Sequence, residues 1–468
     1  MTVSVTTNTY NAANRKPRRR RRIIFMLLPL LALALSGCEK GSAALPARTP
    51  EPKIGAGQNV TLAVATDLHY LSDKLTDEGE AFEKYVSAGD GKQLHYSEEL
   101  LDAFTDEMTG LAPDVLILSG DLTNNGEKQS HLDLAAKLKA IERAGTRVYV
   151  IPGNHDLFNP WARSFKEDKQ YVADYISDAQ FAQIYGQFGY EEAASRDDSS
   201  LSYLAEPSED VWLLMLDTSK YRDNTKLGHP ETDGELSDAT LKWIEDCGRL
   251  AQESGARIIP VMHHNLTDHS EVVRDGFTLN NAAEAAQLFA SLDMKLSLSG
   301  HVHIQNIAAA KADGKTVYDV VTGALSVSPH RYGLLHYDAA ERTLDYAARE
   351  TDVQGWAERT GSTDGNLLHF RQYSRDFFGK FGYDMAFKRL IMDDTYSAEE
   401  VEAMSKTMED ANVSYFAGTQ RIDREKIVES EGYGLWMEAE GGFMKPYLES
   451  IVDEENADTD NLKLEIDF

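Results

Sequence analysis

Residues that can bind a metal ion or transfer a proton occur at five places in this 468-residue sequence, each directly after an apolar run. Such short β-branched runs predict buried strands. In a sheet of parallel strands the carboxyl ends meet at one edge, so these polar side chains should converge there. In chain order they are Asp67 and His69; Asp121; Asn154 and His155; His263; His301 and His303.

This combination of side chains favours metal binding over other uses. It offers carboxylates, imidazoles and one amide but no thiolate, which suits Mn, Fe or Zn ions. More ligands are present than one ion needs, so we expect two divalent metal ions. Two metals roughly 3.5–4 Å apart can share a bridging carboxylate and stabilise the attacking and leaving oxygens of an in-line displacement at phosphorus.

Each motif alone has an ordinary structural explanation. The stretch 67–69 could be a surface turn, and the pair at 263–264 could be satisfied core or loop histidines. The stretch 300–303 is more specific, because alternate residues of an extended chain can reach two neighbouring ions. All five motifs occur together, each behind a predicted strand, and this favours a functional site.

The segments that position these residues alternate between apolar runs and helical patterns from Val60 to about Ala348, which is typical of α/β proteins. Two insertions, 70–96 and 157–200, interrupt the alternation and are expected to act as lids that set specificity. The second insertion is rich in aromatic residues. They predict the core of a lid or side layer, with a base-stacking platform as the alternative. The predicted strands are 60–64, 115–118, 148–150, 211–216, 258–262, 296–298, 317–325 and 332–337.

The pattern after about Thr351 is mainly helical. Helical periodicity covers 367–389, 397–411 and 424–431, and Ser397 with Glu400 forms a capping box. A helical domain here could cover the active site or mediate dimerisation, and the sequence favours neither role. The last stretch, 453–468, is acidic and could be an edge strand or a frayed tail.

The N-terminus has the pattern of an export signal. A basic region ends at Arg22, and the apolar stretch 23–35 is too short to span a bilayer comfortably. Residues 35–38 resemble a bacterial lipobox, which implies cleavage before Cys38 and lipid attachment to its sulfur. The alternative is a plain signal peptide with an incidental cysteine. The arginines at 21–22 loosely resemble a twin-arginine signal, so the sequence does not distinguish Sec export from twin-arginine export.

Charge argues against a nucleic-acid polymer as a partner. The net charge is −30, and residues 1–37 contain seven basic residues and no acidic one, so the rest of the chain is more acidic still. Such a body repels polyphosphate chains. With Cys38 lipidated, Cys247 has no partner for an intrachain disulfide and is expected to be a small buried apolar group.

These patterns predict four parts. They are a lipoprotein signal peptide (1–37), a linker (38–57), an α/β domain (58–350) and a helical C-terminal domain (351–468). The protein is expected outside the cytoplasm, held to the cell membrane by a lipid anchor.

The five motifs, in this order over about 60–305, resemble those of the calcineurin-like metallophosphoesterase superfamily. They are Asp-x-His at 67–69, Gly-Asp at 120–121, Gly-Asn-His-Asp at 153–156, a strand-end His at 263 and Gly-His-x-His at 300–303. The resemblance implies a two-sheet sandwich flanked by helices. It assigns one metal to Asp67, His69 and His303, and the other to Asn154, His263 and His301, with Asp121 bridging them.

The resemblance also implies roles beyond metal binding. His155 would stabilise the phosphoryl group or protonate the leaving oxygen, oriented by a carboxylate such as Asp156 or Asp67. A metal-bridging hydroxide would be the nucleophile. His264 would be a neighbour of the ligand His263.

One position narrows the class within this superfamily. Purple acid phosphatases carry a tyrosine three residues after the bridging aspartate, where this sequence has Asn124. The stretch 120–127 instead resembles class III cyclic nucleotide phosphodiesterases, and the helical C-terminus is similar to Gram-positive two-domain metallophosphodiesterases. The resemblance alone implies a small phosphodiester substrate, cyclic nucleotides among the candidates. The alternatives are an extracellular phosphomonoesterase or nucleotidase, and a noncatalytic surface lipoprotein with a vestigial site.

The lipobox prediction can be tested by changing its cysteine. We expect Cys38→Ser to remain exported but to lose incorporated fatty acid and to leave the membrane fraction, because one thioether-linked anchor would be missing. Radiolabelled palmitate incorporation and fractionation of the native bacterial host would measure both effects. Cys247→Ser is the matched control and should stay lipidated. An unlabelled wild-type protein would favour the plain signal peptide.

Overall fold

The predicted strands form two sheets in a computed structural model that describes residues 53–392, 395–453 and 458–466. The predicted signal peptide, its lipobox and most of the linker therefore lie outside the described residues. In chain order the strands are β1 (Val60–Ala65), β2 (Val115–Ser119), β3 (Arg147–Ile151), β4 (Arg163–Lys166), β5 (Lys169–Val172), β6 (Ser195–Arg196), β7 (Tyr203–Ala205), β8 (Val211–Met215), β9 (Arg257–Val261), β10 (Leu296–Ser299), β11 (Asn306–Ala312), β12 (Lys315–Val321), β13 (Arg331–Asp338), β14 (Thr343–Glu350) and β15 (Asn461–Glu465).

The α-helices of the described residues lie between the strands and, in larger number, after β14. They are α1 (Glu80–Ser87), α2 (Ser97–Leu111), α3 (Lys128–Arg143), α4 (Asp178–Ile184), α5 (Asn224–Leu227), α6 (Asp238–Ser254), α7 (Ala282–Ser291), α8 (Val353–Thr360), α9 (Phe370–Leu390), α10 (Ala398–Ala417), α11 (Gln420–Val428), α12 (Glu431–Glu438) and α13 (Met444–Val452). None of these helices is both long enough and apolar enough to cross a bilayer.

Parallel strands form the centre of both sheets. The first sheet has the order β15-β14-β13-β1-β2-β3, in which β1, β2 and β3 are parallel. The second has the order β11-β12-β10-β9-β8-β7-β6, in which β8, β9, β10 and β12 are parallel. The strands β4 and β5 form a separate hairpin. This order brings the carboxyl ends of five central strands toward one region.

The apolar runs are buried because both faces of the central strands are covered. All five residues of β2 are buried, and residues of both sheets share one hydrophobic core with α2 and α3. Helices α6 and α7 cover the second sheet with residues such as Ile244 and Phe289. Cys247 lies buried in α6, as predicted. A two-sheet sandwich flanked by helices is therefore confirmed.

The C-terminal part is mainly helical, as predicted, and packs on the sandwich. The capping box of Ser397 and Glu400 starts α10. Val302 and Ile304, which follow β10, share a hydrophobic cluster with α9, α10, α12 and α13. Several helices differ from the sequence-based elements. The stretch 424–431 contains a helix break, and α8, most of α12 and α13 were not predicted. Helix α13 is short and carries Pro446.

The last described residues form an edge strand, which resolves the choice between strand and frayed tail. Strand β15 pairs antiparallel with β14, and the Gln305 side chain donates to the Thr459 carbonyl oxygen at 2.7 Å. Leu462 and Leu464 are partly buried against the main core, while Lys463 is exposed. The chain therefore returns to the sandwich after the C-terminal helices.

This edge strand can be tested by comparing its two faces. We expect L462A/L464A to lower the free energy of unfolding by about 1–3 kcal/mol, because it removes half-buried apolar groups from the core. The control K463A/E465A changes the exposed face and should stay within about 0.5 kcal/mol of wild type. Urea unfolding of the protein would measure both. Equal effects would mean that the strand contributes nothing by packing.

Candidate dinuclear metal centre

All seven predicted metal ligands come together where the two sheets present their carboxyl ends. Asp67 and His69 follow β1, Asp121 follows β2 and Asn154 follows β3 in the first sheet. The remaining ligands follow the second sheet, His263 after β9 and both His301 and His303 after β10. Their ligand roles stay predictions, but the structure places them in two adjacent groups.

The first group contains Asp67, His69 and His303, whose candidate ligand atoms all lie within 4.8 Å of one another. His69 Nε2 lies 3.1 Å from His303 Nε2, and His303 Nε2 lies 3.4 Å from Asp67 Oδ1. Two imidazole nitrogens and a buried carboxylate oxygen thus face one another, and this arrangement suits a cation.

The second group contains Asp121, His263 and His301, also within 4.8 Å of one another. Asn154 joins it, since its Oδ1 lies 3.1 Å from His263 Nε2. Asp121 Oδ2 lies 3.4 Å from His263 Nε2 and 3.6 Å from His69 Nε2. One carboxylate oxygen therefore faces both groups, as the predicted bridging role requires.

Hydrogen bonds orient the histidines of the second group. The His263 Nδ1–H donates to the Ser119 carbonyl at 3.1 Å, so Nε2 faces the group. The His301 Nε2–H donates to the Gly276 carbonyl at 2.9 Å, which leaves Nδ1 as the nitrogen available for a metal. Metal-binding histidines usually donate their other ring nitrogen in this way.

The carboxylate of Asp67 supplies a test of whether a metal fits. Its Oδ2 accepts hydrogen bonds from Thr66 Oγ1 at 2.7 Å and from His301 N at 2.8 Å. No described residue donates to its buried Oδ1. A buried carboxylate oxygen without a partner is costly, and a cation between Asp67, His69 and His303 would satisfy it. The donor set and this orphaned oxygen both fit a metal centre.

Charge within the centre reinforces this fit. Burial would raise the pKa of Asp121, but the surrounding histidines, His263 foremost, bring it well below its usual range. Burial would lower the pKa of His263, but Asp121 raises it to about 9. Burial and the neighbouring His263 lower the pKa of His301 to about 3. The ionised carboxylates and the neutral His301 are in the forms that bind metals, whereas His263 must lose its second ring proton when a metal binds.

Five ligands sit on strained backbone. Left-handed φ angles occur at Asp67, His69, Asp121, His301 and His303. Such conformations cost about 1–3 kcal/mol each and persist only where surrounding contacts hold them. The contacts here join the loops directly, because Asp67 N donates to Gly120 O at 3.1 Å and His69 N donates to Asp121 O at 2.9 Å.

His155 lies beside the first group, with its ring centroid 5.0 Å from that of His69. Its backbone N donates to Asp121 Oδ1 at 2.8 Å. The expectation that Asp156 or Asp67 orients the His155 ring is wrong. Nδ1 instead lies 3.0 Å from both the Asn124 carbonyl oxygen and Asn125 Oδ1. These acceptors hold the proton on Nδ1 and leave Nε2 to face a substrate.

The Asp156 carboxylate does not contact the His155 ring but accepts hydrogen bonds from backbone N–H groups. It accepts from Gly153 N at 2.9 Å, and from Leu122 N and Thr123 N at 3.0 Å each. Burial, together with the nearby Asp121, raises the pKa of Asp156 to about 7. Asp156 therefore ties the loop after β2 to the loop after β3.

His264, His330 and Arg331 form hydrogen bonds within the fold. His264 is bonded on both ring nitrogens, to Thr218 Oγ1 at 2.8 Å and to the Thr232 carbonyl at 2.9 Å, so it is a neighbour of the ligand His263. His330 Nδ1 donates to the Leu325 carbonyl at 2.9 Å. Arg331 donates to the Ala417 carbonyl at 2.7 Å.

A cavity of about 620 Å³ opens beside His155. Both predicted lid insertions contribute to its wall, and so does Phe381 of α9. Tyr85 and Lys92 belong to no sequence motif, so their place in this wall was not predicted. The lining residues include Tyr85, Lys92, Asn124, Asn125, Trp161 and Phe381.

The tight packing around Asp121 leads to a prediction for Gly153. A Cβ atom at Gly153 would overlap the backbone N and Oδ1 of Asp121. We therefore expect Gly153→Ala to displace the Asp121 carboxylate and to lower metal affinity by about 10-fold or more. Metal content by elemental analysis and calorimetric titration would measure this. Gly110→Ala, which meets nothing within 4 Å, is the control. Full metal content in Gly153→Ala would contradict the assignment.

Two family models match the chain. Residues 60–305 match the model of the calcineurin-like phosphoesterases, and residues 352–458 match the C-terminal domain of cyclic nucleotide phosphodiesterase. No curated protein matches the chain.

Several solved structures are similar at low identity. A dimetal phosphatase from Danio rerio is 13% identical, with a TM-score of 0.44 over 62% of this chain and 96% of that one. A putative 5'-nucleotidase from Staphylococcus aureus is 14% identical, with a TM-score of 0.35 over 68% of this chain and 58% of that one. On the match over more than half of its length, this chain belongs to the calcineurin-like phosphoesterase family and is a metal-dependent phosphoester hydrolase.

Proposed function

We propose that this protein is a phosphodiesterase with two divalent metal ions, Mn, Fe or Zn, and that cyclic nucleotides are among its substrates. The observation that carries the proposal is the position of His155 between the two ligand groups and the cavity of about 620 Å³. A diester needs room for both substituents on phosphorus, and this cavity offers space beyond the phosphoryl group. The match of residues 352–458 to the C-terminal domain of cyclic nucleotide phosphodiesterase supports the same class.

The residues of the site divide into holding and proton-transferring roles. Asp67, His69 and His303 would hold one ion, and Asn154, His263 and His301 the other, with Asp121 shared. When bound, the ions supply Lewis acidity that activates water and neutralises charge developing on the phosphoryl oxygens.

His155 is the group that would meet the substrate. Its Nδ1–H is held by the Asn124 carbonyl and Asn125 Oδ1, so Nε2 is aimed by hydrogen bonds rather than by a neighbouring carboxylate. An anionic phosphoryl group beside the ring favours the protonated imidazole. In that form Nε2 can donate to a phosphoryl oxygen or pass its proton to the leaving oxygen.

We also propose that the protein acts outside the cytoplasm, tethered through Cys38, on small diesters that reach it by diffusion. The N-terminal pattern of basic and apolar residues supports this location. The strong negative charge of the chain supports a small substrate over a nucleic-acid polymer.

Hydrolysis of chromogenic esters tests the activity. We expect the Mn-loaded protein to cleave bis-p-nitrophenyl phosphate faster than p-nitrophenyl phosphate. We expect Asp121→Ala to lower that rate by more than about 100-fold, because it removes the carboxylate that faces both ligand groups. The control Asp246→Ala alters an exposed carboxylate on α6 and should leave the rate unchanged.

The possible outcomes separate the alternatives. Faster cleavage of the monoester, with 5'-nucleotides accepted, would favour a phosphomonoesterase or nucleotidase. A fully metal-loaded protein that is inert toward every ester, including 2′,3′- and 3′,5′-cyclic nucleotides, would overturn the proposal. An empty metal site would indicate a vestigial centre.

A further inference from the structure

Lys92 is a buried lysine in the wall of the cavity beside His155, and neither the sequence motifs nor the family match assigns it a role. Its side chain is 9% exposed. Burial of an ammonium group is costly unless it has a partner. Its Nζ lies 3.0 Å from Asp90 Oδ2, but the Asp90 side chain is 53% exposed, so water already solvates this counter-ion. The Lys92 ammonium group has three N–H donors, and the contact with Asp90 Oδ2 takes up one of them, so an anion in the cavity can accept another.

Helix α9 and the metal centre fix the loop that carries Lys92. Gly91 has a φ of +86°, and a Cβ atom there would lie 2.5 Å from Phe378 of α9. On the other side of Lys92, the Gln93 N donates to the Ser326 carbonyl at 2.8 Å, and its Nε2 lies 3.5 Å from the Ser374 carbonyl of α9. The loop is thus packed against the C-terminal helices on both sides of Lys92.

Ser326 links the same loop to a metal ligand. Its Oγ donates to the Asp67 carbonyl oxygen at 2.8 Å, and its backbone N donates to the same oxygen at 3.2 Å. The Lys92 loop and the strained turn at Asp67 therefore share one support. A lysine placed by such contacts has a defined position relative to the metal centre.

The charge balance around the cavity favours an anion beside Lys92. The chain carries a net charge of −30, so an anionic substrate is repelled at long range and needs local positive charge. Asn124, Asn125 and Tyr85 in the same wall are neutral donors and acceptors. Lys92 and His155 line the same cavity, so one anion in it can contact both side chains.

We propose that Lys92 binds a phosphoryl oxygen of the substrate, opposite the groups that bind the metals, and that α9 completes the active site by holding the Lys92 loop. The proposal rests on the proposed function for the identity of the substrate. It extends that function by assigning a substrate-binding residue to the first insertion and a positioning role to the C-terminal helices.

The test measures binding of inorganic phosphate to the Mn-loaded, full-length protein by calorimetry. We expect Lys92→Met to weaken phosphate binding by about 10- to 100-fold, because it removes a charge-assisted hydrogen bond, and Lys92→Arg to retain more affinity than Lys92→Met. Lys74→Met is the matched control, since Lys74 lies in the same insertion and pairs with Asp133 at 2.6 Å on the surface. Its phosphate affinity should equal that of wild type.

A second variant separates phosphate binding from a purely structural ion pair. If Lys92 only anchors its loop through Asp90, then Asp90→Asn and Lys92→Met break the same pair and should weaken phosphate binding alike. If Lys92 binds phosphate, Asp90→Asn removes its competitor and should tighten binding by roughly 3-fold, the opposite direction. Metal content and thermal unfolding of each variant would show that the centre and the fold are intact.

Failure of this inference differs from failure of the proposed function. Phosphate affinity and KM for a diester that are unchanged in Lys92→Met would overturn the role of Lys92, while hydrolysis itself would persist. A wild-type protein that binds phosphate through Lys92 but hydrolyses no ester would overturn the proposed function alone.

Discussion

The site depends on one carboxylate that two sheets share. Asp121 follows β2 in the first sheet, yet its Oδ2 faces His263 after β9 in the second. Its Oδ1 accepts from the backbone of His155, which joins the candidate catalytic histidine to the same group. Burial opposes an ionised carboxylate, and the histidines around it overcome that cost. Loops from three strands must therefore meet within hydrogen-bond distance of a single side chain.

Strained loops of this kind need support from the rest of the protein. Asp67, His69 and Asp121 adopt left-handed backbone conformations that non-glycine residues avoid. Backbone hydrogen bonds between the loops stabilise these conformations, and so do the hydrogen bonds that the Asp156 carboxylate accepts from the loop after β2. The absence of a Cβ at Gly153 lets the loop after β3 approach Asp121. The metal centre is thus built from backbone contacts as much as from its ligands.

The helical C-terminal part takes part in the same arrangement. Phe381 of α9 reaches the cavity beside His155, and Phe378 packs where Gly91 leaves room. Val302, between two candidate ligands, packs with the C-terminal helices. The chain then returns as β15 to the edge of the first sheet. The helices after residue 351 therefore contact segments that follow β1 and β10 and line the cavity beside His155, which follows β3.

Although β4 to β7, β11 and β14 were not predicted, the sequence by itself determined the parallel strands at the centre of both sheets, the α/β class and the positions of all seven candidate ligands. It could do so because each ligand directly follows a local apolar run, and parallel strands bring such ends together. Only the tertiary structure decided that Asn124 and Asn125 orient His155, that Lys92 lines the cavity and that the tail is an edge strand. These features depend on contacts between segments far apart in the chain. Beyond the convergence of parallel strand ends, periodicity and local motifs carry no information about which distant segments pack together.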